Sequence, residues 1–201
     1  MASEELQARY PGNVGLPVGR FELFETQATT LNQYAAHGII PSVPFGANAT
    51  QKPDAILIER APALRVIAMG ETKPPGGVTT ANWKKLAKGL LTKKLQPTGT
   101  PIGFLTDGSS THWIAGGTSD VTEMQREDGK ALPTLIDFSD TTFLAEFGYM
   151  VANLDPVTGV VRAPKNLNPE ALAREVWQTV WRLQADRPED CLATFVEIFI
   201  Y

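Results

Sequence analysis

At 201 residues the chain is long enough to bury a substantial core, and one domain plus an appendage is the expectation. Charged residues make up 20% and hydrophobic ones 43%. The formal net charge of −4 excludes a basic character for the whole chain, so any nucleic-acid contact must come from a local patch. The single cysteine, Cys191, excludes an internal disulfide and points to a reducing cytoplasm. It falls in an apolar helical pattern, the setting of a buried structural thiol. No apolar run approaches the length of a membrane span, and the opening residues lack the basic and apolar pattern of a signal sequence.

In chain order, residues 2–9 suit a short helix ended by Pro11-Gly12. From 21 to 37 the pattern reads as helical: Leu23, Leu31, Tyr34 and Ala35 recur at helical spacing, and Gly38 offers a C-cap. On that helix Glu22 and Glu25, three apart, would share a face. Residues 40–52, with Pro41, Pro44 and Gly46, read as a loop. His37 and His112 have no partner His or Cys at ligand spacing and read as structural or surface residues.

Residues 53–73 then spell two short hydrophobic strands joined at Ala61-Pro62-Ala63, with Asp54, Glu71 and Lys73 at their ends. Side chains alternate along a strand, so Glu71 and Lys73 point the same way. Two carboxylates converging from neighbouring strands can hold a divalent metal through oxygen. A lysine beside them can activate water or stabilise charge on a phosphate. The set suits metal-assisted phosphodiester hydrolysis; the plainer alternative is a hairpin with charges at its exposed ends and Glu71 paired to Lys73.

Pro74-Pro75-Gly76-Gly77 breaks the strand, and Thr79 or Thr80 can cap the next helix. There Trp83, Leu86, Ala87, Leu90, Leu91 and Leu95 form an apolar face. Lys84, Lys85, Lys88, Lys93 and Lys94 read as the remaining surface, with no acid between them. Lys84, Lys85 and Lys88 are the candidate DNA-phosphate contacts, the alternative being a solvated face. Residues 101–108 and 111–116 read as a second hairpin turning at Asp107-Gly108. Residues 117–133 read as a loop, 135–138 as a short strand, 143–150 as a helix or edge segment, and 156–164 as loop and hairpin. Two amphipathic helices follow from Asn168. The order helix, strand, strand, helix, strand, strand predicts an α/β fold around a mixed sheet.

Pro53-Asp54 followed by Glu71-Thr72-Lys73 resembles the PD-(D/E)XK nuclease family, which includes many restriction endonucleases. Thr106-Asp107-Gly108 before a strand containing Trp113 resembles the amino-terminal nuclease domains of type I restriction motor subunits, as does Phe24-Glu25-Thr26-Gln27 with Ala36-His37-Gly38-Ile39 after it. The C-terminal segment is similar to the linker into the helical region of nuclease–adenine-methyltransferase fusions.

The resemblance implies a restriction-endonuclease-like mixed sheet flanked by helices over residues 20–165. It also implies a helical segment, 166–201, that begins a further domain of a larger protein. By the same comparison the function is Mg²⁺- or Mn²⁺-dependent DNA cleavage in restriction-modification. Asp54 and Glu71 would bind metal, Lys73 would position or activate water, and Glu25 would assist, with Glu22 in reserve. DNA and further methyltransferase or motor domains are the implied partners. At the helix positions where many relatives carry Gln and an aromatic, this chain departs with Lys88 and Thr92. The rival reading is a DNA-binding or scaffolding module that keeps the fold without cutting.

Overall fold

The computed structural model describes residues 15–25 and 28–163, together with positions 174 and 178. The chain divides into two compact units, Met1–Ala163 and Pro164–Tyr201. The two C-terminal helices, Cys191 and the expected helix over 2–9 lie outside the described residues, apart from 174 and 178, which are helical.

The first unit is built on a six-stranded sheet in the order β1-β2-β3-β4-β5-β6. The strands are β1 Leu16–Val18, β2 Phe21–Phe24, β3 Ala55–Glu59, β4 Arg65–Thr72, β5 Ile102–Thr106 and β6 Thr111–Ala115. Every neighbouring pair is antiparallel except β4–β5. Parallel neighbours need a crossover, and here it carries a helix, α2 (Trp83–Leu90). That helix runs on through a wider π-turn, Leu91–Leu95, and a last turn, Gln96–Thr98. Helix α1 is Leu31–Ala36 and α3 is Thr141–Asn153. A small three-stranded sheet adds β7 Gln125–Arg126, β8 Leu154–Asp155 and β9 Val160–Val161. The fold is α/β around a mixed sheet.

Both faces of the central sheet are covered, which is why β3 and β5 are largely apolar, Glu59 and Thr106 at their ends apart, and every residue in them is buried. On one face Ile56, Ile58, Met69, Leu105 and Ile114 meet α1 through Leu31 and Tyr34. They meet α2 through Trp83, Ala87 and Leu90. On the other, Leu57, Ala68, Phe104 and Trp113 meet Phe143, Phe147 and Met150 of α3. Burying each large apolar side chain of this kind is worth about 1.5–3 kcal/mol. Gly70 is required on the α3 face, since a Cβ there would lie 2.0 Å from the Phe104 ring.

The two hairpins fall where the sequence puts them, but the segment 21–37 does not form one helix. Residues 21–24 are strand β2, hydrogen-bonded between β1 and β3. Phe21 and Leu23 pack on the α3 face and Phe24 on the other, a two-residue alternation. Helix begins only after Thr30, whose hydroxyl accepts from the Gln33 N–H while the Gln33 side chain accepts from the Thr30 N–H. The N-cap of α2 is Asn82 rather than Thr79 or Thr80. Its side chain makes no cap bond and instead ties the preceding turn, accepting from Thr79 N–H at 2.9 Å and donating to the Gly77 carbonyl at 3.0 Å. The loop over 117–133 contains β7, and 135–138 is not a strand. Phe138 instead packs edge-on against Phe143 and Phe147 of α3, with ring centroids 5.2 and 6.0 Å apart.

Candidate active site

Asp54, Glu71 and Lys73 come together because of the β3–β4 register. Ala55 pairs with Gly70, and the Asp54 N–H extends the ladder to the Gly70 carbonyl at 3.0 Å, which sets Asp54 across from Glu71. Residues opposite one another in an antiparallel pair present their side chains on the same face. By strand alternation that face is the one Ile56 and Met69 share with α2. Asp54 Oδ2 accepts from the Thr72 N–H at 2.7 Å, fixing its carboxylate at the end of β4. Lys73 Nζ donates to Glu71 Oε2 at 2.7 Å, and both side chains are partly shielded.

Lys73 is also held through its backbone, whose N–H donates to the Thr106 carbonyl at 2.8 Å. The β5–β6 turn is thus bound to the site's edge. Asp107 stiffens that turn: its Oδ1 accepts from the Ser109 hydroxyl at 2.7 Å and from the Ser109 and Ser110 N–H groups at 3.0 Å each. The Ser109 bonds, with help from Ser110 and the Val78 backbone, hold its carboxyl well below the usual carboxylate range.

A fourth charged group completes the cluster, although its place in a run of lysines suggests the outer surface. Lys94 is buried, with only 8% of its side chain exposed. Its Nζ donates to Glu71 Oε1 and, at 2.5 Å, to the Lys52 carbonyl. Burial pushes its pKa down to about 8, with the opposing pull of Asp54 keeping it from falling further. Both oxygens of Glu71 therefore carry an ammonium group. The sequence does hold a signal. Lys94 follows Trp83 by eleven and Leu90 by four, so it lies on the apolar stripe of its helix, where a lysine without a partner would be costly. The π-turn that contains Lys94 is a helix irregularity often found at functional sites.

The remaining candidates come from other parts of the chain. Glu25 follows β2 directly at the end of the sheet that carries Asp54, half-buried, and stands on no helix. Glu22 sits on β2, paired with Arg60 through contacts of 2.6 and 3.0 Å, towards the opposite end of β3 from Asp54. Lys84, Lys85 and Lys88 are exposed on α2, with Lys84 Nζ 5.7 Å from the Trp83 ring centre. Thr92 is exposed and returns its hydroxyl to the Lys88 carbonyl at 2.8 Å, so neither member of the departing pair faces Glu71. His112 stacks flat on Trp83, with ring centres 4.5 Å apart, and its Nδ1 meets Glu123 at 2.7 Å, a bracing role between α2 and β6.

No protein-family model, curated protein or solved structure matches this chain.

Among the described residues no group of three or more His, Cys, Asp or Glu side chains is placed to hold a metal ion. The oxygen donors at this site are two carboxylates and the Lys52 carbonyl. Such a set suits a hard cation like Mg²⁺, which keeps several waters and uses one or two carboxylates. Among the described residues no helix is long and apolar enough to cross a membrane.

Proposed function

We propose that this chain carries a divalent-metal-dependent DNA endonuclease site of the restriction-endonuclease type. The observation that carries the reading is the convergence of Asp54, Glu71 and Lys73 at adjoining strand ends, with Glu71 and Lys73 in direct contact. Asp54 and Glu71 would hold Mg²⁺ or Mn²⁺, whose charge would activate water and steady the phosphoryl oxygens. Lys73, partly shielded and tied to the strand through its backbone, would orient the attacking water or meet the charge that develops on the phosphate. Glu25 lies at the same end of the sheet and would assist. Lys84, Lys85 and Lys88 supply an acid-free cationic stripe for the DNA backbone.

DNA as substrate, a restriction-modification setting with methyltransferase or motor domains in the same protein or complex, and a cytoplasmic location belong to this proposal. They rest on the resemblance of the motifs and, for the location, on the single cysteine. The deciding experiment incubates the full chain with duplex DNA and Mg²⁺ or Mn²⁺. The reading expects cleavage that disappears in Asp54→Ala and Lys73→Ala; cleavage at the wild-type rate by Lys73→Ala would refute the role given to that residue.

One observation favours the second reading, a module that binds DNA without cutting it. Both Glu71 oxygens are engaged by lysines, an arrangement that opposes metal. Binding of duplex without cleavage in either metal would decide for it.

A further inference from the structure

The Lys94 ammonium group rests among the very oxygens that a cation at this site would use. It donates to Glu71 Oε1 and to the Lys52 carbonyl, and Asp54 is near enough to favour its charged form. It arrives on a buried stem from a π-turn, so this is a built position rather than a drifting surface contact. Building on the nuclease reading above, we propose that Lys94 is a resident counter-ion, displaced from Glu71 when a divalent cation binds, and that this displacement makes metal and DNA bind cooperatively.

Charge balance couples the two ligands. Asp54 and Glu71 formally contribute two negative charges, and Lys73 and Lys94 two positive ones, so the cluster is neutral. A site of two carboxylates and one lysine would carry a net negative charge and attract a divalent cation by itself. Here a cation must compete with an ammonium already bonded to Glu71, in a setting where charges are poorly screened. A released Lys94 would need another anion, because a buried ammonium without a partner is strongly disfavoured. A DNA phosphate entering the site provides one. It also gives the otherwise neutral cluster a net negative charge, which favours the cation. Each ligand then lowers the cost of binding the other, and linkage requires the two effects to be equal in size.

Lys94 would thus have two positions. It is bonded to Glu71 when DNA is absent and turned towards a phosphate oxygen when DNA and metal are bound. A site of this kind stays poor in metal until substrate arrives, which restrains hydrolysis away from DNA.

The test measures Mn²⁺ affinity calorimetrically for the full-chain wild type, Lys94→Met, Lys94→Gln and Asp54→Ala. Each is titrated alone and with a saturating phosphorothioate-backbone duplex, which resists cleavage. Lys94→Met keeps the length of the buried stem, and Lys94→Gln serves if that variant fails to unfold cooperatively. The expectation is that wild type binds Mn²⁺ at least about tenfold more tightly with the duplex than without it. The Lys94 variants should bind Mn²⁺ at least about tenfold more tightly than wild type when DNA is absent, and should gain clearly less from the duplex than wild type does. Mn²⁺ binding that depends on Asp54 but is unchanged in both Lys94 variants would overturn the counter-ion role and leave the metal site standing. Absence of any Asp54-dependent Mn²⁺ binding, with or without DNA, would overturn both.

Discussion

Lys94 and Glu71, twenty-three positions apart, form an ion pair beneath helix α2, with the lysine almost wholly shielded from solvent. Breaking such a pair from one side leaves a charge buried without its partner, whereas replacing both members removes the problem.

Glu71→Ala should therefore destabilise the fold by about 3–5 kcal/mol, the usual cost of orphaning one half of a buried pair. Adding Lys94→Met should recover much of that loss. Urea unfolding of the single and double variants measures both. A double variant as unstable as Glu71→Ala alone would show that the cost lies in poorer packing rather than in the stranded ammonium.

Removal of a single lysine among Lys84, Lys85 and Lys88 should weaken DNA binding to a similar degree on all sequences. It should also flatten the log–log salt dependence by about 0.9 for each phosphate that is no longer neutralised. Titrations from low to moderate salt read the slope directly. An unchanged slope would return these three side chains to the role of a solvated face.

Gly70→Ala should cost about 1–3 kcal/mol through overpacking, because the new methyl would meet the Phe104 ring. Removing the ring in Gly70→Ala/Phe104→Leu should give part of that back. Thermal unfolding of the pair distinguishes a local clash from a general intolerance of side chains on β4.

Acid should weaken the fold in a definite window. Asp128 is held down to about 2, first by its bond from Arg126 and further by the Lys130 N–H. Asp137 is lowered chiefly by the Ser139 hydroxyl, and Asp155 chiefly by the Val157 N–H. A carboxyl whose pKa is depressed on folding stabilises the native state above its ordinary value of about 4 and ceases to do so as pH falls through the folded value. The melting temperature should accordingly hold steady down to about pH 5 and fall between about pH 4 and 2. Asp128→Asn should make that fall shallower.

The hairpins are legible in the sequence because each strand is a compact apolar run bounded by residues that only turns favour. The carboxylates and Lys73 are legible because two-residue alternation fixes which side chains share a face. Residues 21–24 mislead because Leu23 lies eight from Leu31, a helical interval. The tie to β3 that makes this segment a strand is long-range, and no local pattern reveals it. Lys94 reads as surface because it adjoins Lys93 in a basic run, although its spacing from Trp83 and Leu90 puts it on the apolar stripe. Composition and periodicity disagree there, and periodicity is the better guide. The tying of Asp107 by its own turn can be expected from an Asp with two serines close behind it. Its link through Thr106 to the Lys73 backbone cannot, since that depends on the parallel β4–β5 pairing.

The margins of the sheet bear on how the molecule meets other chains. At one margin β1 is only three residues long, and Pro17 at its centre has no N–H to offer a neighbouring strand. At the other, backbone bonds from Ala115 to Thr122 and from Met124 to Trp113 already occupy β6. Among the described residues neither edge of the six-stranded sheet presents a long row of free donors and acceptors, so edge-to-edge strand pairing finds little template there. At this sheet, side chains and helix surfaces are better placed than strand edges to meet another chain.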